Sequence, residues 1–485
     1  MKVRSIKTNY ILNISRTVLS SLIGLFTLPY INRVLGVESV GKFEYANSII
    51  TYFVLFSALG IPMYGIREVA KVRDNIYQRT KVLSELLIIL SITTIISYIV
   101  LFGFFIHLDF LKDYKTLIFV LAPIIFLGNF GVEWFFQGVE DQVYITIRFI
   151  VIKIATLLLL FSFVKSPDDY LSYGAIMVIS TVGSNIFNFF YIRKFVNFKI
   201  IELRSLEIRK HLRGVLTIFL ATVSVSVYLQ VDNTLLGIYG SDKNVGLYAT
   251  ANKLVRFAIL FVTTLGSVML PRLSNLYDNG KYEEYNLYLS KSLKYILFFS
   301  VPACVLIYGL AEKIIYIMAG NEFSGAILPM KILSFLLLLI GLAYYLAFMV
   351  MYPQGKERLY TLIVFISAIL SIVLNLIYIP QFFERATSIV SVVVEALGVM
   401  LMIIILRKEL CKFNFFSIKN LNYIIGGGLL YLIIFIVNYF KIQELTNILL
   451  SSFLGLIIYF IFLYVVKDFV VHDFLKKIKK IRYGE

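Results

Sequence analysis

Residues 82–106 read VLSELLIILSITTIISYIVLFGFFI, and this stretch of 25 residues contains one charged side chain, that of Glu85. A run of this length and polarity predicts a transmembrane α-helix, because about 20 apolar residues cross the hydrocarbon core of a bilayer. The run is continuously apolar, whereas a strand of a membrane barrel has roughly 10 residues of alternating polarity. The stretch therefore predicts an all-α membrane protein.

The composition of the whole chain points the same way. Of its 485 residues, 59% are hydrophobic and 15% are charged, with a mean hydropathy of +0.86. A soluble domain has about 45–50% apolar and about 25% charged residues. The longest polar stretch, residues 193–213, is too short for a soluble catalytic domain with its own core. Any function is therefore expected inside the membrane or at its surface.

Apolar runs bounded by proline, glycine and clustered charges predict about fourteen transmembrane helices. They lie near residues 10–31, 43–66, 82–106, 115–138, 143–164, 170–192, 214–239, 246–270, 288–309, 325–350, 359–379, 385–406, 421–440 and 446–466. Lysine and arginine are concentrated in alternate connecting segments, which predicts that both ends of the chain are cytoplasmic. The net charge of +17 is thus typical of a positive-inside membrane protein and does not indicate nucleic-acid binding.

An internal repeat divides the chain. Residues 40–47 (VGKFEYAN) and 245–252 (VGLYATAN) share Val, Gly, Ala and Asn in register, and Gln137-Gly138 similarly matches Gln354-Gly355. Parallel repeats in transporters place the substrate pathway at the interface of the two halves. The predicted domains are a six-helix lobe at 1–192, a basic cytoplasmic linker at 193–213, a second six-helix lobe at 214–410, and two appended helices with a basic tail at 411–485.

Five basic residues fall inside predicted spans: Arg16, Arg148, Lys153, Lys253 and Arg256. A charge at the bilayer centre costs about 2.5–3.5 kcal/mol on insertion scales, so it usually lines a cavity, forms a pair or snorkels to the surface. Arg16 is predicted to line a cavity, because Asn13 and Ser20 extend the polar face of its helix. Snorkelling or a local carboxylate pair is the alternative.

Lys253 and Arg256 are three residues apart on one face of span 8, and Asn252 lies beside them. Two like charges on one face repel each other unless water or an anion compensates them, which predicts an anion-binding site. Pairing with Asp232 of span 7 is the alternative. Asn47 of span 2 is predicted to join Asn13, Ser20 and Asn252 in a polar cavity wall.

Arg148 and Lys153 are five residues apart on span 5, which places them about 140° apart around the helix. This spacing predicts that they do not both face one cavity squarely. Arg148 is closer to the cytoplasmic end and is expected to snorkel, whereas Lys153 is deeper and is assigned to the anionic head-group site.

Two carboxylates, Asp232 and Glu395, are candidates for ion coupling, although a structural role fits each of them as well. Glu133 is a further candidate for a buried carboxylate. Small polar residues at Ser180 and Ser184 of span 6 suit either helix packing or contact with a sugar.

Motifs typical of enzymes are missing from the sequence. It contains no complete phosphate-binding P-loop, no HExxH, no GxSxG and no DxD pair. His107, His211 and His472 lie in predicted loops or near helix ends and are interpreted as solvated surface residues. The sequence therefore predicts a protein that is not an enzyme and that has neither a cofactor nor a metal.

Several segments resemble the polysaccharide-repeat-unit flippases, the Wzx-type polysaccharide transporter family. They are residues 35–46 (LGVESVGKFEYA), 59–71 (LGIPMYGIREVAK), 133–141 (EWFFQGVED), 245–249 (VGLYA) and 270–274 (LPRLS). The resemblance implies two lobes related in fold to multidrug exporters and lipid II flippases.

The resemblance also implies a function in a bacterial cytoplasmic membrane. Such proteins move a polyprenyl-diphosphate-linked oligosaccharide outward by alternating access, with polysaccharide polymerase machinery as a candidate partner. Members are thought to carry cationic residues in the central cavity, and Arg16, Lys253 and Arg256 fit that role by their depth. The rivals are a lipid II or multidrug exporter of the same fold and a membrane polysaccharide polymerase or ligase.

Overall fold

A computed structural model describes residues 6–413, 415–440 and 442–483. Within these residues the chain forms α-helices joined by short 3₁₀ turns, with one π-helical segment at Tyr345–Met351, and has no β-strand. The helices in the first half of the chain are α1 (Ile6–Ala58), α2 (Ile61–Lys71), α3 (Ile76–Gly103), α4 (Lys115–Leu121), α5 (Pro123–Phe130), α6 (Glu133–Gly138), α7 (Gln142–Phe163), α8 (Tyr170–Val182), α9 (Ile186–Tyr191) and α10 (Arg209–Tyr239).

The remaining helices are α11 (Asp242–Asp278), α12 (Tyr282–Met318), α13 (Ile327–Leu333), α14 (Leu336–Tyr344), α15 (Glu357–Leu410), α16 (Leu421–Tyr439), α17 (Glu444–Val465) and α18 (Phe469–Tyr483). Among the described residues, ten helical segments are long and apolar enough to cross a membrane, or eleven if one bent pair counts as a span. The prediction of an all-α polytopic membrane protein is confirmed. The number of fourteen spans and their orientation stay predictions.

The two longest helices each join two predicted spans across a break, although predicted span 43–66 continues past the end of α1 into α2. In α1 the break is at Gly36, where φ is 72° and ψ is 172°, and in α15 it is at Phe383, where φ is 47°. A positive φ carries no Cβ penalty at glycine. The sequence shows the break in α1 through Gly36, whereas a positive φ at a bulky residue such as Phe383 is uncommon.

The chain packs as two compact units, which divide between Gly246 and Leu247. In the N-terminal unit, α10 packs against α1 and α2. Gly237 of α10 lies so close to the ring of Tyr45 that an added Cβ would come within 2.0 Å of it. The domain bounds drawn from the sequence stay predictions.

An aromatic core in the N-terminal unit fixes the short helix α6. Trp134, Phe135 and Phe136 are buried among side chains of α2 and α3. Gly65 of α2 has no side chain because a Cβ there would lie 2.3 Å from the indole of Trp134. This packing holds the backbone of Glu133, the first residue of α6, in place.

In the C-terminal unit, α12 packs against α16 and α17 around the buried tyrosines Tyr423 and Tyr459. The hydroxyl of Tyr423 donates to Oδ2 of Asp468 at 2.8 Å, and that of Tyr459 donates to the carbonyl of Phe298 at 3.2 Å. Each buried hydroxyl therefore has an acceptor, as a buried polar group requires.

Candidate anion-binding site

A cavity of about 340 Å³ lies in the N-terminal unit and is lined by residues of α1, α6, α7 and α8 together with Ser184. Three of its lining side chains are cationic and one is a carboxylate. The charged residues are Arg16, Arg148, Lys153 and Glu133, and the hydroxyl-bearing residues are Ser20, Ser180, Thr181 and Ser184. The predicted head-group residues Arg16 and Lys153 are therefore brought together, with Ser20 beside them.

Glu133 reaches the cavity because the chain turns sharply between α5 and α6. Val132, between the two helices, has φ 42° and ψ 36°, a left-handed conformation that β-branched residues rarely adopt. Gly131 precedes it, and a Cβ there would lie 2.2 Å from Cγ of Asn185. The amide of Asn188 donates to the carbonyl of Gly131, which secures the turn from the other side.

The carboxylate of Glu133 bridges two arginines. Nη1 of Arg16 donates to Oε1 at 2.7 Å, and Nη2 of Arg148 donates to Oε2 at 2.9 Å. Hydrogen bonds between ionised groups are about twice as strong as neutral ones. The sequence gives Glu133 only as a candidate for a buried carboxylate, and no signal in it places Glu133 in this site.

Arg148 does not snorkel to the surface, so that expectation is wrong. Its side chain is 4% exposed, and Nη1 also donates to the carbonyl of Ser184 at 3.1 Å and to Oδ1 of Asn185 at 3.2 Å. Glu133 and two acceptors of the turn after α8 hold the two Nη atoms of Arg148 inside the unit, whereas its Nε is buried without a hydrogen-bond partner. The reach of a long side chain compensates for the wide angle between Arg148 and Lys153, and both line the same cavity.

Lys153 lies deeper along α7, and its Nζ donates to Oγ of Ser180 at 2.7 Å. A second cavity of about 230 Å³, mostly apolar, is lined by Ser20, Lys153 and Ser180 as well. The ammonium group therefore lies at the junction of a charged cavity and an apolar one.

Two small polar residues of predicted span 6 accept hydrogen bonds from the basic residues of the cavity. Ser180 accepts from Lys153, and the backbone carbonyl of Ser184 accepts from Arg148. Asn185, which the sequence did not single out, contacts Arg148 through Oδ1 and donates from Nδ2 to the carbonyl of Leu127 at 3.0 Å. It joins the cavity to the end of α5.

The other predicted head-group residues lie on α11 in the C-terminal unit. The side chain of Lys253 is exposed, and Arg256 donates from Nε to Oδ1 of Asn252 at 3.0 Å. The assignment of Lys253 and Arg256 to the head-group site stays a prediction.

The remaining predicted residues are distributed over three helices. Asp232 is buried in α10, Glu395 is partly exposed on α15, and Asn47 is partly exposed on α1. The side chain of Asn13 lies outside the described part of the chain. Roles in ion coupling and in a polar wall stay predictions for these residues.

His211 is not a solvated surface residue, and that interpretation is wrong. Its ring is buried, with Nε2 2.8 Å from Oε2 of Glu85 and Nδ1 2.8 Å from the hydroxyl of Tyr64. Glu85 also accepts the backbone N–H of Glu207 at 2.7 Å. This polar network joins the beginning of α10 to α2 and α3.

The sequence pattern of the family described as "Polysaccharide biosynthesis protein" matches residues 6–277, and that described as "MatE" matches residues 217–377. A relative named "Putative O-antigen transporter" from Shigella dysenteriae is 25% identical over 350 residues, which are 72% of this chain and 86% of the relative. A protein of the same name from Escherichia coli (strain K12) is 23% identical over 390 residues, or 80% and 93% of the two chains.

Solved structures show the same fold. "Lipid II flippase MurJ, inward closed conformation" is 17% identical with a TM-score of 0.69, covering 95% of this chain and 100% of that chain. An inward-facing multidrug resistance MATE family transporter is 13% identical with a TM-score of 0.62, covering 83% and 96%. The first of the two family patterns covers more than half of the chain. The chain therefore belongs to the polysaccharide biosynthesis protein family of membrane proteins, which confirms the resemblance drawn from its sequence motifs.

Proposed function

We propose that this protein is a flippase that moves polyprenyl-diphosphate-linked oligosaccharide repeat units from the inner to the outer leaflet of the bacterial cytoplasmic membrane. The observation that carries the proposal is the cavity of about 340 Å³ in which Arg16, Arg148 and Lys153 surround one carboxylate. The names of the relatives, O-antigen transporters, and of the MurJ neighbour, a lipid II flippase, support the same substrate class.

The chemistry of the cavity suits a diphosphate. Guanidinium groups bind phosphate oxygens through paired N–H donors, and a lysine ammonium adds a compact positive charge. Ser20, Ser180 and Thr181 add hydroxyl groups that can exchange hydrogen bonds with a sugar. Pockets of about 300–1,000 Å³ hold a drug-sized ligand, so this cavity accommodates a head group rather than a whole repeat unit.

Lys253 and Arg256 of the C-terminal unit are also proposed as head-group ligands, because they are three positions apart and their like charges share one face of α11. Alternating access would expose the site to each leaflet in turn, and Asp232 and Glu395 are the proposed carboxylates for ion coupling. The protein would act without catalysis and would deliver its product to a polysaccharide polymerase.

The test is transport in liposomes that contain the purified protein and a polyprenyl-diphosphate oligosaccharide labelled on its sugar. Outward movement is measured as the fraction of sugar that becomes accessible to an added glycosidase. Arg16→Gln should lower the transport rate at least tenfold. Arg73→Gln is the matched control, because Arg73 pairs with Glu140 at 2.7 Å and lies outside the lining of the cavity.

Two further substrates separate the proposal from its rivals. Lipid II and an organic cation are offered to the same liposomes, and the oligosaccharide lipid should be moved faster than either. Equal transport by Arg16→Gln and wild-type protein would contradict the assignment of the cavity. Preference for the organic cation would contradict the proposed substrate class.

A further inference from the structure

We propose that Glu133 is an internal counter-ion of the head-group site. Its carboxylate forms an ion pair with Arg16 when the site is empty, and the substrate diphosphate displaces the carboxylate from that arginine. This inference rests on the proposed function and deepens it. It assigns to Glu133 a role in setting the affinity of the site.

The geometry of Glu133 resembles that of a bound phosphate. Its two oxygens each accept from a different guanidinium, at 2.7 Å from Arg16 and at 2.9 Å from Arg148. A diphosphate offers the same kind of acceptor oxygens with more negative charge, and arginine binds carboxylate and phosphate by the same paired donors. The two anions therefore compete for one set of donors.

The two ion pairs of Glu133 differ in how accessible they are. The side chain of Arg148 is 4% exposed and also bonds to Ser184 and Asn185, so this arginine is fixed. The side chains of Arg16 and Glu133 are 18% and 34% exposed. A ligand that enters the cavity can reach Arg16 and Glu133, and the pair between them is the one that it can exchange.

The backbone under Glu133 does not need to move for this exchange. Val132 before it is held in a left-handed conformation, and Trp134 after it is buried in the aromatic core. The Glu133 side chain would rotate to release Arg16 and the longer contact from Nε2 of Gln137, at 3.4 Å, while Oε2 keeps its contact with Arg148. The left-handed turn at Val132 thus holds the backbone of Glu133 next to Arg148, which is fixed, and leaves the Glu133 carboxylate able to move.

Competition of this kind has two opposite effects on transport. A ligand must displace the carboxylate to bind, which lowers its affinity. The same carboxylate returns to Arg16 when the head group leaves, which favours release. Removal of the charge from Glu133 should therefore strengthen binding and slow turnover.

The experiment uses the full chain in nanodiscs of phosphatidylcholine, so that no anionic lipid competes for the site. Polyprenyl diphosphate without sugar and inorganic diphosphate are the two probes, and they separate a lipid-borne head group from the free anion. We expect Glu133→Gln to lower the Kd for polyprenyl diphosphate about tenfold, which corresponds to about 1.4 kcal/mol. Its transport rate in liposomes should fall.

Two variants control the measurement. Glu140→Gln removes the carboxylate that forms an ion pair with Arg73 at 2.7 Å, the same distance as between Glu133 and Arg16. This variant should leave both the Kd and the transport rate unchanged. Glu133→Asp keeps the charge but shortens its reach to Arg16, and should bind with an affinity between those of wild-type protein and Glu133→Gln. This variant provides the same test if Glu133→Gln does not fold.

The outcomes separate the inference from the proposed function. Wild-type protein that binds neither probe would overturn the proposed function and the inference together. Binding by wild-type protein with an unchanged or higher Kd in folded Glu133→Gln or Glu133→Asp would overturn the inference alone, because Glu133 would then be structural. If Glu133→Gln lowers the Kd for inorganic diphosphate as well as for polyprenyl diphosphate, the inference is supported, and the diphosphate group alone is what competes with Glu133.

Discussion

The Nζ atom of Lys153 lies 2.7 Å from Oγ of Ser180, at the point where two cavities of the N-terminal unit share their lining. One cavity is polar and contains Glu133 between two arginines, and the other is mostly apolar. A lysine side chain suits this position, because its ammonium group can face a polar cavity while its alkyl chain packs along an apolar one.

Lys153→Met should lower transport of the oligosaccharide lipid at least tenfold while leaving folded protein in the membrane. A hydrogen bond to a charged group contributes about 1.5–3 kcal/mol, and about 1.4 kcal/mol corresponds to a factor of ten. Lys153→Arg should retain most of the transport. Ser180→Ala is the control, because it removes the hydroxyl partner and keeps the charge, and its rate should fall less than threefold.

Arg148→Met should destabilise the protein by about 2–3 kcal/mol. The change removes one guanidinium that donates to Glu133, to the carbonyl of Ser184 and to Asn185, and it leaves those partly or fully buried acceptors without this donor. Thermal unfolding in detergent measures the effect. An unfolding temperature of Arg148→Met equal to that of the wild-type protein would contradict a structural role for these contacts.

Gly131→Ala should destabilise the turn before α6 by about 1–3 kcal/mol, the usual cost of overpacking. The new methyl group would lie 2.2 Å from Cγ of Asn185, and that side chain is held by Leu127 and Arg148. Gly128→Ala, in the last turn of α5 just before this site, is the control, because the nearest atom to its Cβ would be 3.9 Å away. Equal unfolding temperatures for the two variants would show that Asn185 moves aside at little cost.

Hydropathy was sufficient to predict the membrane fold, because the length of an apolar run is fixed by the bilayer and not by the neighbouring helices. The polar face around Arg16 and Ser20 predicted a cavity next to α1, with a carboxylate pair as one alternative for Arg16. Both residues line a cavity, and Arg16 also forms such a pair with Glu133. The sequence could not show which carboxylate meets Arg16. Glu133 is 117 residues away, and its orientation depends on a left-handed turn at Val132 that the sequence does not mark.

The incorrect expectations for Arg148 and His211 have one physical cause. Each was interpreted from its position near a helix end, where a polar side chain usually reaches water. The structure instead supplies buried partners from distant segments, namely Glu133 for Arg148 and Glu85 for His211. Such partners depend on how helices pack, which the pattern of a single helix does not contain.

Glu85 and His211 should be energetically coupled. Their side chains are buried and 2.8 Å apart, and His211 also contacts the hydroxyl of Tyr64. A double-mutant cycle of Glu85→Gln and His211→Phe should give a coupling free energy within about 0.5–3 kcal/mol, the range for residues in contact. Additive changes in the free energy of unfolding would show that the contact does not stabilise the beginning of α10.

Replacing both Lys253 and Arg256 with glutamine should abolish export while leaving folded protein in the membrane. The two residues are three positions apart on α11, so their charges add on one helix face, and an anion that contacts both loses two charged donors at once. Lys253→Arg and Arg256→Lys keep the charges and should do less harm. The control is Arg407→Gln with Lys408→Gln, which removes one arginine and one lysine from the exposed end of α15. Export by the Lys253 and Arg256 double variant at the control rate, with matched amounts of protein in the membrane, would contradict the assignment of these two residues as head-group ligands.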